Sequence, residues 1–251
     1  MLRFFRQIRQ KLIKQENVRK YLWYALGEIL LVMIGILLAL QVNNWNENRK
    51  EKNYEHRMLT ELSVALVNDI GNFRLLEDMM SNLEESIFYL TAASNMDDRR
   101  SLEIDSVRQH LDSVWGFGVY IAYNEGPYEA LKSSGLDKIS NDSLRNEIAK
   151  LYSFSLPSAD AWINEIIRGS IDAKFRYFDL LFDIQVERSG QALEKTLIVE
   201  NFDFLDSPIF ADILSESFNA TRYSKVPLAQ NRRQMEQLLG MINKELTNHS
   251  D

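Results

Sequence analysis

No cysteine occurs among the 251 residues. A disulfide framework, a zinc–thiolate site, an iron–sulfur cluster and a cysteine nucleophile are therefore all excluded. Proline and glycine are scarce, at four and ten, which argues against a loop-rich or low-complexity chain. With 45% hydrophobic residues the composition is that of a packed protein. Histidine is rarer still. His56, His110 and His249 lie far apart, without the one-turn spacing of a metal-binding helix. There is no nucleophile elbow, no phosphate-cradling loop and no dinucleotide-binding glycine pattern. The stretch Trp115–Gly118 lacks the lysine that a phosphate loop needs. Paired acids such as Glu84/Glu85 and Asp97/Asp98 sit where solvated helix faces or loops place them. No catalytic residue, metal ligand or cofactor is predicted.

Charge is unevenly spread. Residues 1–20 hold seven basic side chains, from Arg3 to Lys20, against Glu16 alone, while the rest of the chain is strongly acidic and brings the net charge to −7. An acidic body would repel phosphate, so nucleic acid is not an expected partner. The basic arm is followed by Tyr21–Val42, whose one charge is Glu28. At 1.5 Å per residue this run reaches roughly 33 Å, enough to cross a hydrocarbon core of about 30 Å. Trp23 and Tyr24 mark one interface and Trp45 the other, as aromatic belts do. Short basic flanks stay cytoplasmic, which puts the C-terminal side in the periplasm or outside. No small-x-small pattern follows the run, so an uncleaved signal anchor is expected. The arm repeats Leu2, Phe5, Ile8 and Leu12 at helical spacing, as in a basic amphipathic helix lying on the inner leaflet, with a floppy topogenic tail as the alternative.

Beyond the membrane run, Asn43–Arg57 is almost wholly polar without Gly or Pro. Leu59, Leu62, Leu66, Ile70, Phe73, Leu76, Met80, Leu83, Ile87 and Leu90 then recur in steps of three and four. That pattern predicts an amphipathic helix of a bundle, with a coiled coil as the alternative. Ser101 precedes a helix with the face Ile104, Val107, Leu111 and Val114, and Ser140 or Asn141 caps one with Leu144, Ile148 and Leu151. Each of Pro127, Pro157, Pro208 and Pro227 stands before a helix-like pattern. After Pro157 the predicted apolar face is Trp162, Ile166, Ile167, Ile171, Phe175, Phe178 and Leu181. Thr196–Phe204 has the content of a strand. The fold class is all-α: one N-terminal transmembrane helix, then an extracytoplasmic helical bundle. The domains are a cytoplasmic arm (1–20), a membrane helix (21–43), a polar helical neck (44–57) and a periplasmic domain (58–251).

The stretch ALGEILLVMIGILLALQVNNWNE, Ala25–Glu47, resembles the signature of an uncharacterised single-span inner-membrane protein family common in Bacteroidota. The basic, Phe-containing opening MLRFFRQIRQKL and the later YEALKSSGLDKISNDSLRNEIAKLY, Tyr128–Tyr152, are similar to segments of the same family. The likeness implies a Gram-negative inner membrane and the same topology. The family carries no established activity, so no site is transferred.

Glu28 is the most unusual residue, because a carboxylate in a membrane helix must be protonated, paired or near the surface. It shares a stripe with Val32, Gly35 and Ala39, whose small-x-x-x-small spacing suits close helix packing. A homo-oligomer is expected. The glycine-spaced aromatic stretch with Trp115, Phe117, Tyr120 and Tyr123 is a candidate partner surface, with filling of a bundle end as the alternative. Three functions remain open: a non-enzymatic anchored module for interaction, sensing or scaffolding with a membrane or periplasmic protein; an energy-coupled subunit using Glu28 beside a multispan partner; and an unrecognised helical enzyme.

Overall fold

A computed structural model describes residues 18–189 and 192–248. The predicted amphipathic arm and His249 lie outside them. The chain divides into two compact units, 1–55 and 56–251, and is mostly helical.

Helix α1 is Val18–Ser94. In the first unit its residues 22–42 have apolar side chains on every side, and none is buried. It contains the one stretch, among the described residues, long and apolar enough to cross a membrane, with a mean hydropathy of 2.4 over its best window.

In the second unit the predicted stripe of α1 is the spine of the core. Leu59, Leu62, Leu66, Ile70, Phe73, Met80, Leu83, Ile87 and Leu90 are all buried within this one chain. The bundle reading therefore accounts for the periodicity, since a stripe covered by its own chain needs no second helix copy. Helices α2 (Ile104–Gly116) and α3 (Gly126–Ser134) follow. Between them, 117–125 is neither helix nor strand; it begins extended at Phe117 and has turned helical by Glu125. Gly135 ends α3 at a positive φ of 101°, a backbone conformation that side-chain-bearing residues rarely adopt, so the position favours glycine.

Asn141 caps α4 (Asp142–Lys150) by accepting the Leu144 N–H at 3.2 Å, as predicted. The helix α2 cap differs: Glu103, not Ser101, occupies the position, with no side-chain bond. From α4 the backbone stays helical through a π turn (Leu151–Ser155), α5 (Leu156–Asp160), a second π turn (Ala161–Ile167) and α6 (Arg168–Leu181). Pro157 thus lies inside a helical run instead of opening one. The first π turn admits it by shifting the bonding so that Leu156 N–H reaches Leu151 O. Wider turns also change which residues face inward. Ile163, Ile167, Ile171, Lys174 and Phe178 are buried, while Trp162, Ile166 and Phe175 are exposed, so the predicted face is displaced by about one residue.

A hairpin of β1 (Ile184–Ser189) and β2 (Ala192–Leu197) pairs antiparallel, Ile184 opposite Leu197. The predicted strand Thr196–Phe204 overlaps it only at its first two residues; Asp203–Asp206 is instead a 3-10 turn. There Phe204 links an aromatic chain, Phe178–Phe182–Phe204–Phe210, with centroids 5.0–5.6 Å apart. Helix α7, Pro208–Asn248, closes the domain. Pro227 is in its interior and does not begin a helix as predicted. The inward face runs unbroken across it, through Ser217, Thr221, Ser224, Leu228, Asn231, Met235, Leu238 and Ile242. Arg74–Glu236 (2.6 Å), Arg232–Glu77 (2.9 Å) and Lys225–Glu84 tie α7 antiparallel to α1.

Candidate functional site

Glu28, Val32, Gly35 and Ala39 are exposed, and so are Trp23 and Trp45; Tyr24 is partly covered. A Cβ on Gly35 would meet nothing within 4 Å, so the small-residue stripe is open.

The aromatic stretch divides by alternation, as extended chain must. Phe117, Val119 and Ile121 point inward, and Tyr120 is exposed; Trp115 and Tyr123 are half-buried. The stretch is strapped down by side chains that stand in for a neighbouring strand. Asn164 accepts from Ile121 N–H at 3.1 Å and donates to Ile121 O at 3.1 Å. Asp69 on α1 accepts Asn124 N–H through both oxygens, at 3.0 and 3.2 Å. Burial pushes the Asp69 carboxyl above its ordinary value, against the pull of that bond. Beside it the Tyr152 hydroxyl has no partner among the described residues. Burial and the Asp69 charge both push it upward. Tyr152 stacks on Tyr128 (5.0 Å, 11°), whose hydroxyl meets Ser153 Oγ at 2.5 Å.

Lys174 was not singled out by sequence reasoning, although it falls on the apolar face between Ile171 and Phe178. It is 1% exposed and has been drawn in by the end of α2. Its ammonium donates to Val114 O (2.7 Å), Trp115 O (3.2 Å) and Phe117 O (2.5 Å), carbonyls left over at a helix C-terminus. It also lies 4.2 Å from the Phe175 ring centroid. Burial pushes the amine down to about 7.

The two remaining features concern α7. Pro227 has no N–H to give Tyr223 O, its partner one turn back. The Trp162 indole fills that vacancy, donating to Tyr223 O at 3.0 Å. Asn231 Nδ2 donates to Pro227 O at 2.9 Å, leaving Asn231 Oδ1 without a partner among the described residues. Trp162, Pro227 and Asn231 line a groove of about 310 Å³. A second groove, about 600 Å³, lies at Ile87, Phe88, Thr91 and Phe218. His110 stacks on Tyr89 (4.1 Å) and meets Ser86 Oγ through Nδ1 at 3.1 Å; burial lowers its basicity, and Glu85 opposes that. His56 is exposed on α1.

The fold defines a mostly helical protein with, among the described residues, one helix long and apolar enough to span a bilayer. The chain belongs to the family of unknown function DUF6090, whose model matches residues 28–156, just over half its length. That segment holds Glu28, the spine of α1, the strapped aromatic stretch and the Asp69–Tyr152 pair; Lys174 and Pro227 lie beyond it. Neither the curated proteins nor the solved structures contain a match.

Proposed function

We propose that this protein is a non-enzymatic binding module anchored in a bacterial inner membrane by α1, with its helical domain in the periplasm. The observation that carries the reading is the residue 22–42 stretch. Fourteen large apolar side chains there are exposed. At ~1.5 kcal/mol each, immersing them in water would cost on the order of 20 kcal/mol. A gain of that size on leaving water favours an apolar phase as their surroundings. The seven basic residues before the stretch favour a cytoplasmic N-terminus. Lipid is then the first partner, and a second copy meeting along Gly35 and Ala39 is the second.

Fractionation tests the anchor. Full-length protein should stay with membranes through alkaline carbonate and carry its first 42 residues. Release into the supernatant would refute the reading, and so would a mature chain lacking that segment, which would make it a cleaved signal.

A further inference from the structure

We infer that the groove between the π-turn region and α7 binds a neutral saccharide. Pro227 is what builds it. By withholding an N–H from Tyr223 O it recruits the Trp162 indole, which holds that ring at the groove's edge, 42% exposed. Phe154, 69% exposed, also lines the groove, on the first π turn. Aromatic rings kept in solvent by turns that cost helix geometry are a poor bargain for folding alone, and π turns recur at functional sites.

The polar lining narrows the ligand. Ser155, Ser158, Gln230, Asn231 and Gln234 supply hydroxyls and carboxamides, and no charged side chain lines the groove, although 26% of the chain is charged. Asn231 is 6% exposed. Its amide orientation is fixed, because Pro227 O can only accept. Oδ1 is thereby left a buried acceptor without a partner among the described residues, and the hydroxyls and carboxamides open to a ligand are those of Ser158, Gln230 and Gln234. A ligand with hydroxyl edges, apolar C–H faces and no charge matches this set. Sugar C–H groups stack on aromatic faces, and their hydroxyls pair with amides. A peptide is less suited: both walls are helices whose main chain is bonded internally, so no row of backbone groups is free to receive a strand. The Phe88–Phe218 groove is larger, but Glu84 and Glu85 also line it, and those carboxylates do not match an uncharged ligand.

The inference rests on the reading of this chain as a binding module; fractionation tests the anchoring separately. The probes are maltotetraose, cellotetraose and tetra-N-acetylchitotetraose, titrated at millimolar concentrations into the full-length protein in a detergent without sugar headgroups. Calorimetry and tryptophan emission give the readout. At least one should bind and shift the Trp162 emission. Phe154→Ala, at a solvent-exposed ring, should weaken it roughly tenfold, and Gln234→Ala several-fold. The proposal is overturned if none of the three binds, if both variants bind as tightly as wild type, or if a proline-rich decapeptide displaces the sugar or binds in its place.

Discussion

Replacing Lys174 by methionine should change how stability depends on pH. The folded amine sits near 7, against an ordinary 10.5. Below pH 7 both folded and unfolded chains carry the proton, and the full cost of the buried charge is felt. Between pH 7 and 10.5 the folded chain releases the proton while the unfolded chain keeps it, so stability rises with pH. The slope approaches 1.4 kcal/mol per pH unit. Allowing for half-titration at pH 7, wild type gains about 2 kcal/mol between pH 7 and 9. Methionine keeps the apolar stem and removes the titrating group, so this gain should vanish. Its constant penalty is the loss of donors to Val114 O, Trp115 O and Phe117 O, at ~1–3 kcal/mol for each carbonyl left bare. Denaturant melts of the full-length protein, followed by circular dichroism at pH 7 and pH 9, measure both. The deficit of Lys174→Met should grow by about 2 kcal/mol from pH 7 to 9. A deficit that stays constant would mean that Lys174 does not titrate there, and the reasoning from burial would fail.

Three other substitutions probe separate joints. Pro227→Ala restores an N–H to the helix and should raise stability by up to ~3 kcal/mol. It should also free Trp162 from Tyr223 O and shift its emission; a stability gain with no spectral change would contradict the capping role. Asp69→Ala should cost roughly 1–3 kcal/mol and speed hydrogen exchange at the Asn124 amide, which loses its acceptor. Unchanged protection at Asn124 would show that the strap is held from elsewhere. Ile34→Arg should disfavour insertion by ~3 kcal/mol and move a measurable fraction of protein out of carbonate-washed membranes; full retention would argue against a spanning helix at that residue.

Much of the architecture was legible in local patterns. The α1 stripe, the Asn141 cap and the apolar run depend on neighbours a few residues away, and sequence displays such neighbours directly. What was missed depends on distant partners. Pro227 reads as a boundary because its missing N–H should break a helix; Trp162, 65 positions earlier, repairs the break. The π turns around Pro157 move Ile163 inward and Trp162 outward, and a fixed 3.6-residue period cannot anticipate a locally wider turn. The hairpin is rich in charge, with Glu187, Arg188, Glu194 and Lys195, so it lacks the branched run that marks Thr196–Phe204. Lysine is solvated by type, so the sequence reading passes over Lys174. Its spacing from Ile171 and Phe178 was the available signal, and the carbonyls that receive it come from a different helix. Phe117 turned inward for the same reason: extended chain alternates, and the loop pattern alone does not say which residues face the core.

The absence of cysteine makes the central claim directly testable. Single cysteines placed at Gln7 and at exposed Ser133 can be probed in intact cells, after outer-membrane permeabilisation, with a maleimide that cannot cross the inner membrane. Labelling at Ser133, with Gln7 reacting only after lysis, is the result expected of an anchored module with its domain in the periplasm. Labelling at Gln7 with Ser133 protected would invert the topology, and protection of both would place the whole chain inside the cell.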